Sequence, residues 1–267
     1  MTKDKNENRT LSIRISTDGF CFCSYTPSQP GSLRYFFYKP EKGYTLAVNL
    51  QKGCESCPFI VPGEKYEVKV IIESEEFTTL PVEFDNKADY KSYFRHCFPR
   101  NNARVEVIAN RLNAQGLTVL FPVEKSLYES LQQLGDVSFY SPLSILLGLV
   151  TTSLPDDGKY LLACFQGHLS LYISVRSGRM QLANAFRNDA GQDAVYYLLS
   201  IWKEQELSQL DDTLYLCGDS GVESNAMTIG RFIKNTKRLN PNELFKSTLL
   251  NKIEGVPFDL QALILCE

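Results

Sequence analysis

Histidine is scarce in this sequence. His96 and His168 are the only two in 267 residues, and they form no His-x-x-x-His pair. That removes the zinc-helix hydrolases. Neither a Gly-x-Ser-x-Gly elbow nor a Gly-x4-Gly-Lys-Ser/Thr loop is present. Serine-hydrolase and P-loop chemistries go with them. No uncharged apolar run reaches about 18 residues, the length a membrane-spanning helix needs. SPLSILLGLVTTSL at 141–154 comes nearest, but Gly148 and two threonines interrupt it, so it reads as a buried helix. The opening MTKDKNENRT has charge with no apolar core behind it. It reads as a disordered polar tail over residues 1–10 and not as a signal peptide. An excess of basic charge is missing too: the formal net charge is -3. Nothing therefore draws the chain generally towards nucleic acid or anionic lipid. A cytoplasmic protein without a nucleic-acid partner or a transmembrane segment is the expectation.

Eight cysteines are present: Cys21, Cys23, Cys54, Cys57, Cys97, Cys164, Cys217 and Cys266. Most stand inside apolar runs of a long chain, which suits buried free thiols better than disulfides. Cys54 and Cys57 have the Cys-x-x-Cys spacing of a zinc knuckle. Zinc sites pair two such knuckles, and Cys21 and Cys23 share one face of a core strand, so no metal site is expected. The setting that lowers a redox thiol's pKa is missing as well.

The pattern along the chain is that of an α/β protein. LSIRIST, FCFCSYT and SLRYFFYK alternate as strands, the first two joined through Asp18-Gly19, the usual chemistry of a hairpin turn. A helix over 44–53 is predicted to end at Gly53, with a loop over 54–66. YEVKVIIES and EFTTLPVEF read as strands, NKADYKSYFRHCF as a helix, and ARVEVIANRL and GLTVLFPV as strands. EKSLYESLQQLG is a helix, DVSFY a strand, and the helix after it has Ser141 as N-cap and Pro142 at its first position. LPDDGK at 154–159 marks a boundary, giving domains over 11–153 and 154–267. Beyond it the order restarts. KYLLACFQ, HLSLYISVR and GRMQLANAFR are strands with turns at Gln166-Gly167 and Ser177-Gly178. A strong amphipathic helix covers 191–207, DTLYLCGDSG is a strand running into a glycine turn, and ESNAMTIGRFIKNT is a helix. FDLQALILCE is a helix or a strand.

This repeated order resembles the actin-like ATPase superfamily, which includes sugar kinases and the seventy-kilodalton chaperones. Four segments carry the similarity: RISTDGFCFCSY, TVLFPVEKSLYESLQQLGDVSFYSPLSILLGLV, YLLACFQGHLSLYISV and LYLCGDSG. The first and third are similar to the family's two phosphate hairpins, the last to its glycine turn near the adenosine. The chain also resembles an uncharacterised bacterial family described as having this fold. Its size is similar to that of pilus-assembly and type II secretion members, which use the fold as a cytoplasmic scaffold. The resemblance implies an actin-like fold: two ribonuclease-H-like domains, mixed sheets flanked by helices, with ATP and Mg²⁺ in the cleft between them. It also implies that Asp18, Gly19, Gly167, Gly218 and Gly221 would border the nucleotide.

Against that pattern the first hairpin keeps one carboxylate and one glycine, with Phe20 directly after. The second has Phe165-Gln166-Gly167-His168, with no acid to position a metal. Asp211 and Asp212 stand too far along to replace it. Two functions follow as expectations. One is a non-catalytic scaffold with an unknown protein partner, and possible homodimerisation. The other is an ATP-binding or weakly hydrolytic protein using Asp18 and Mg²⁺.

Overall fold

The structure is a computed structural model that describes residues 9–26, 29, 31–99, 104–188, 193–218, 221–244 and 255–265. Most of the tail read into residues 1–10 lies outside them, and β1 begins at Thr10. Among the described residues thirteen strands and eight α-helices follow in order. The first half holds β1 (Thr10–Ile15), β2 (Phe20–Tyr25), β3 (Arg34–Tyr38), α1 (Leu46–Ser56), β4 (Tyr66–Ile72), β5 (Thr78–Pro81), α2 (Tyr90–Cys97), β6 (Val105–Leu112), β7 (Leu117–Glu124), α3 (Lys125–Gln132), β8 (Gly135–Tyr140) and α4 (Pro142–Ser153). The second holds β9 (Lys159–Gln166), β10 (Leu169–Arg176), β11 (Arg179–Arg187), α5 (Asp193–Glu204), β12 (Thr213–Gly218), α6 (Val222–Ile229), β13 (Asn235–Arg238), α7 (Pro241–Leu244) and α8 (Phe258–Leu265).

The strands form two five-stranded sheets, ordered β3-β2-β1-β4-β8 and β11-β10-β9-β12-β13. In each, the first three strands are antiparallel neighbours and the last two are parallel additions. The two sheets therefore have one topology, as the repeated sequence pattern requires. A third, smaller sheet, β5-β7-β6, is inserted between β4 and β8.

One apolar cluster contains Ile13 and Val70 of the first sheet, Leu162 and Ile173 of the second, and Leu146 and Leu149 of α4. A second cluster puts α5 and α6 on the other face of the second sheet through Leu198, Trp202 and Ile229. A third covers the other face of the first sheet with α8. β1 and β2 are consequently buried on both faces.

Capping follows the sequence. Ser141 Oγ accepts from Leu143 N–H at 3.1 Å, Ser144 Oγ accepts from Ser141 N–H at 3.2 Å, and Pro142 opens α4. This reciprocal cap satisfies donors that a helix start leaves free.

Three local readings are corrected. α1 does not stop at Gly53 but runs to Ser56, into the stretch read as a loop, because Gly53 lies against the Phe22 ring where a side chain would be crowded. The glycine there serves packing, not termination. α6 ends at Ile229, and the last two residues read as helix, Asn235 and Thr236, open the edge strand β13. The turn between β9 and β10 is Gly167-His168, since Gln166 still pairs with Leu169. The closing segment is a helix.

Candidate functional site

The carboxyl ends of parallel strands are where open α/β sheets place their ligands. The candidate residues gather at these ends. Ser16 to Gly19 follow β1, Gly167 follows β9, and Gly218 ends β12 opposite Phe165 of β9. Gly221 stands just beyond, at the start of α6. Asp219 lies outside the described residues.

The two hairpins touch. Asp18 Oδ1 is 3.3 Å from His168 Nε2. A Cβ added to Gly167 would collide with the other Asp18 oxygen, so the Asp18 carboxylate fills the space over that turn. Gly167 has φ +53°, a left-handed conformation that glycine adopts without strain. Gly19 is glycine for another reason. Its φ is not positive, but a Cβ there would run into the Phe37 ring. The first turn is closed by Ser16, whose N–H donates to Gly19 O at 3.1 Å while its hydroxyl bonds the same residue at 2.9 Å. It is a four-residue loop between Ile15 and Phe20, not the two-residue Asp-Gly turn that the dipeptide suggests.

Gly218 and Gly221 have backbone explanations too. Gly218 has φ +110°, and a Cβ would collide with the Phe165 carbonyl. Gly221 has φ +64° as the N-cap of α6. Gln166, where an acid would serve metal chemistry, is a buried polar side chain. Asp211 and Asp212 accept hydrogen bonds from Ser208 at 2.8 and 2.6 Å and so belong to a turn before β12.

Around the hairpins stand charged residues that the sequence did not single out. Glu75 pairs with Arg187 Nε at 3.7 Å. Glu73 follows β4 and bonds its N–H to Ile15 O at 3.0 Å. Burial raises the Glu73 carboxyl above its usual range against the pull of Arg14, and the nearby charges of Asp259 and Asp18 add to the rise. Thr17, Glu73, His168 and Arg187 line a cavity of about 20 Å³. That is room for about one water. Small-molecule sites occupy roughly 300–1,000 Å³.

The cysteines offer no competing site. Every cysteine among the described residues is a free thiol. Cys54 and Cys57 sit at the carboxyl end of α1, where the helix dipole does not favour a thiolate. Burial pushes Cys54 up to about 12. Among the described residues no group of three or more His, Cys, Asp or Glu side chains is placed to hold a metal ion.

Comparison with known proteins decides the family. Residues 1–236 match the family described as "Protein of unknown function (DUF3822)". The chain belongs to the DUF3822 family. A solved structure from Bacteroides thetaiotaomicron VPI-5482, described as a protein with actin-like ATPase fold and unknown function, is 28% identical over 100% of both chains, with a TM-score of 0.80. A structure of the PilM-PilN type IV pilus biogenesis complex is similar at 13% identity and a TM-score of 0.56, covering 97% of this chain and 98% of that one. No curated protein matches. This DUF3822 chain thus has the actin-like ATPase fold, as its repeated strand order suggested. Among the described residues no helix is long and apolar enough to cross a membrane.

Proposed function

We propose that this DUF3822 protein is a non-catalytic scaffold that uses the actin-like fold to hold a protein partner. The observation that carries the reading is the Asp18–His168 contact at 3.3 Å. It sets the Asp18 carboxylate over Gly167, the place a phosphate would need. The Phe37 ring lies over Gly19 in the same way. Metal-assisted phosphoryl transfer needs acids free to hold Mg²⁺. Here Asp18 is paired with a histidine, and Gln166 replaces the second acid. A structure similar in fold is that of PilM in complex with PilN, which supports the reading. Free thiols throughout the described residues fit a cytoplasmic setting.

Steady-state phosphate release from Mg-ATP tests the reading. Turnover at the level of buffer alone supports it. Turnover above that level, lost in Asp18→Ala, would replace it with the ATPase reading. The observation favouring that second reading is the gathering of Asp18, Gly167 and Gly218 at one end of the two sheets.

A further inference from the structure

Arg14 joins parts of the chain that lie far apart in sequence. It stands in β1 and is 6% exposed. Its Nε contacts both carboxylate oxygens of Asp259, at 2.9 and 2.8 Å, across 245 residues of sequence. Its Nη2 donates to Glu73. Asp259 is 0% exposed and lies in the first turn of α8, where its Oδ1 also accepts from Leu260 N–H at 2.8 Å. The carboxylate is thus fixed to both the helix and β1.

α8 reaches both sheets. Leu260, Leu263 and Ile264 pack with Cys21, Cys23 and Ile71 on the first sheet. The helix also touches α4 and β12, the central parallel strand of the second sheet. Glu73 belongs to two places at once: it pairs with Arg14 and lines the small cavity with Thr17, His168 and Arg187.

We propose that α8 is a clasp that holds the two sheets at a fixed separation, with Arg14–Asp259 as its lock and Glu73 as its link to the hairpins. Well-packed apolar residues would match a buried ion pair in stability. What the pair adds is direction: α8 seats in one orientation on β1. The shared apolar cluster joins the two sheets, and the outer pairs, Asp18–His168 and Glu75–Arg187, are partly exposed and add little to it. The clasp acts whether or not the cleft takes a nucleotide.

Native-state hydrogen exchange of the wild-type protein in low urea tests this. The amides of α8 and those of the hairpin-closing residues Phe20 and Leu169 are expected to open in one step, below global unfolding. Opening of α8 by itself, with Phe20 and Leu169 protected until global unfolding, would overturn the proposal. The triple variant Arg14→Met/Glu73→Gln/Asp259→Leu removes the lock without stranding a charge. If it folds, exchange at Phe20 and Leu169 should rise at least tenfold. Exchange there at the wild-type rate, with α8 exchanging faster, would also overturn it. If the triple variant does not fold, the wild-type experiment decides alone.

Discussion

Asp18 and His168 face each other across the two hairpins, Oδ1 to Nε2 at 3.3 Å, and each hairpin supplies one of them. The Asp18 carboxylate lies over Gly167, which on the scaffold reading is where a phosphate would need to sit, and the pair is partly open to solvent. Exposed pairs contribute about 0–1 kcal/mol. His168→Ala should therefore change unfolding stability by less than about 1 kcal/mol. Urea unfolding of the variant and the wild type checks this.

Arg14 is the opposite case. Removing one member of a buried ion pair leaves a charge uncompensated, at a cost of about 3–5 kcal/mol. Arg14→Met should cost that much, because it strands Glu73 and Asp259 together. Asp259→Asn should cost more than Glu73→Gln. Asp259 is fully buried, whereas burial already raises the Glu73 carboxyl, a sign that its partner does not fully offset its desolvation. Urea midpoints of the three variants test the ranking.

Much of this was legible in the sequence. The order of strands and helices as far as α6, the two hairpins, the Ser141 cap and the repeated strand order were readable from local pattern. Local pattern did not disclose what covers each face. LSIRIST alternates, so Ser12 and Arg14 look solvent-facing, but α8 covers that side from 245 residues away. An arginine inside an apolar strand was the one signal that a buried partner existed. β13 carries no apolar residue over Asn235–Arg238, so its strand character comes only from pairing with β12. The candidate glycines lie at the ends of strands or at a helix start, yet three of the four are explained by close approaches that no single-sequence pattern shows.

Those close approaches give opposite expectations for two glycines. Gly218→Ala places a Cβ against the Phe165 carbonyl at φ +110° and should destabilise by about 1–3 kcal/mol. Gly148 lies in α4 with nothing within 4 Å of an added Cβ. Gly148→Ala should stabilise by about 0.5–1 kcal/mol. Thermal melts of the two variants should therefore move in opposite directions.

Acid should weaken the inserted sheet through Asp85. The Tyr90 hydroxyl donates to Asp85, Thr118 Oγ1 does so at 2.9 Å, and Arg111 Nε stands 3.3 Å away. The Tyr90 bond is the main reason the carboxyl lies below its ordinary value of 3.8. A lowered carboxyl contributes stability above its unfolded-state value and loses it as pH falls through the folded one. The gap in urea midpoint between wild type and Tyr90→Phe should be wide at neutral pH and narrow below 3.8.

Thiol reactivity separates Cys54 from Cys97. Burial pushes Cys54 up to about 12, whereas Cys97 is exposed. Only the thiolate is the nucleophile, so Cys97 should be alkylated well before Cys54 near neutral pH. Mass-mapped labelling with iodoacetamide over time checks the order.

The proposed scaffold role is tested most directly by calorimetric titration of the wild-type protein with ATP and Mg²⁺ up to millimolar nucleotide. The expected result is no binding heat beyond dilution, because Asp18 and Phe37 fill the space over the two turns. A saturable isotherm that disappears in Asp18→Ala would show that the hairpins hold a nucleotide and would contradict the scaffold reading.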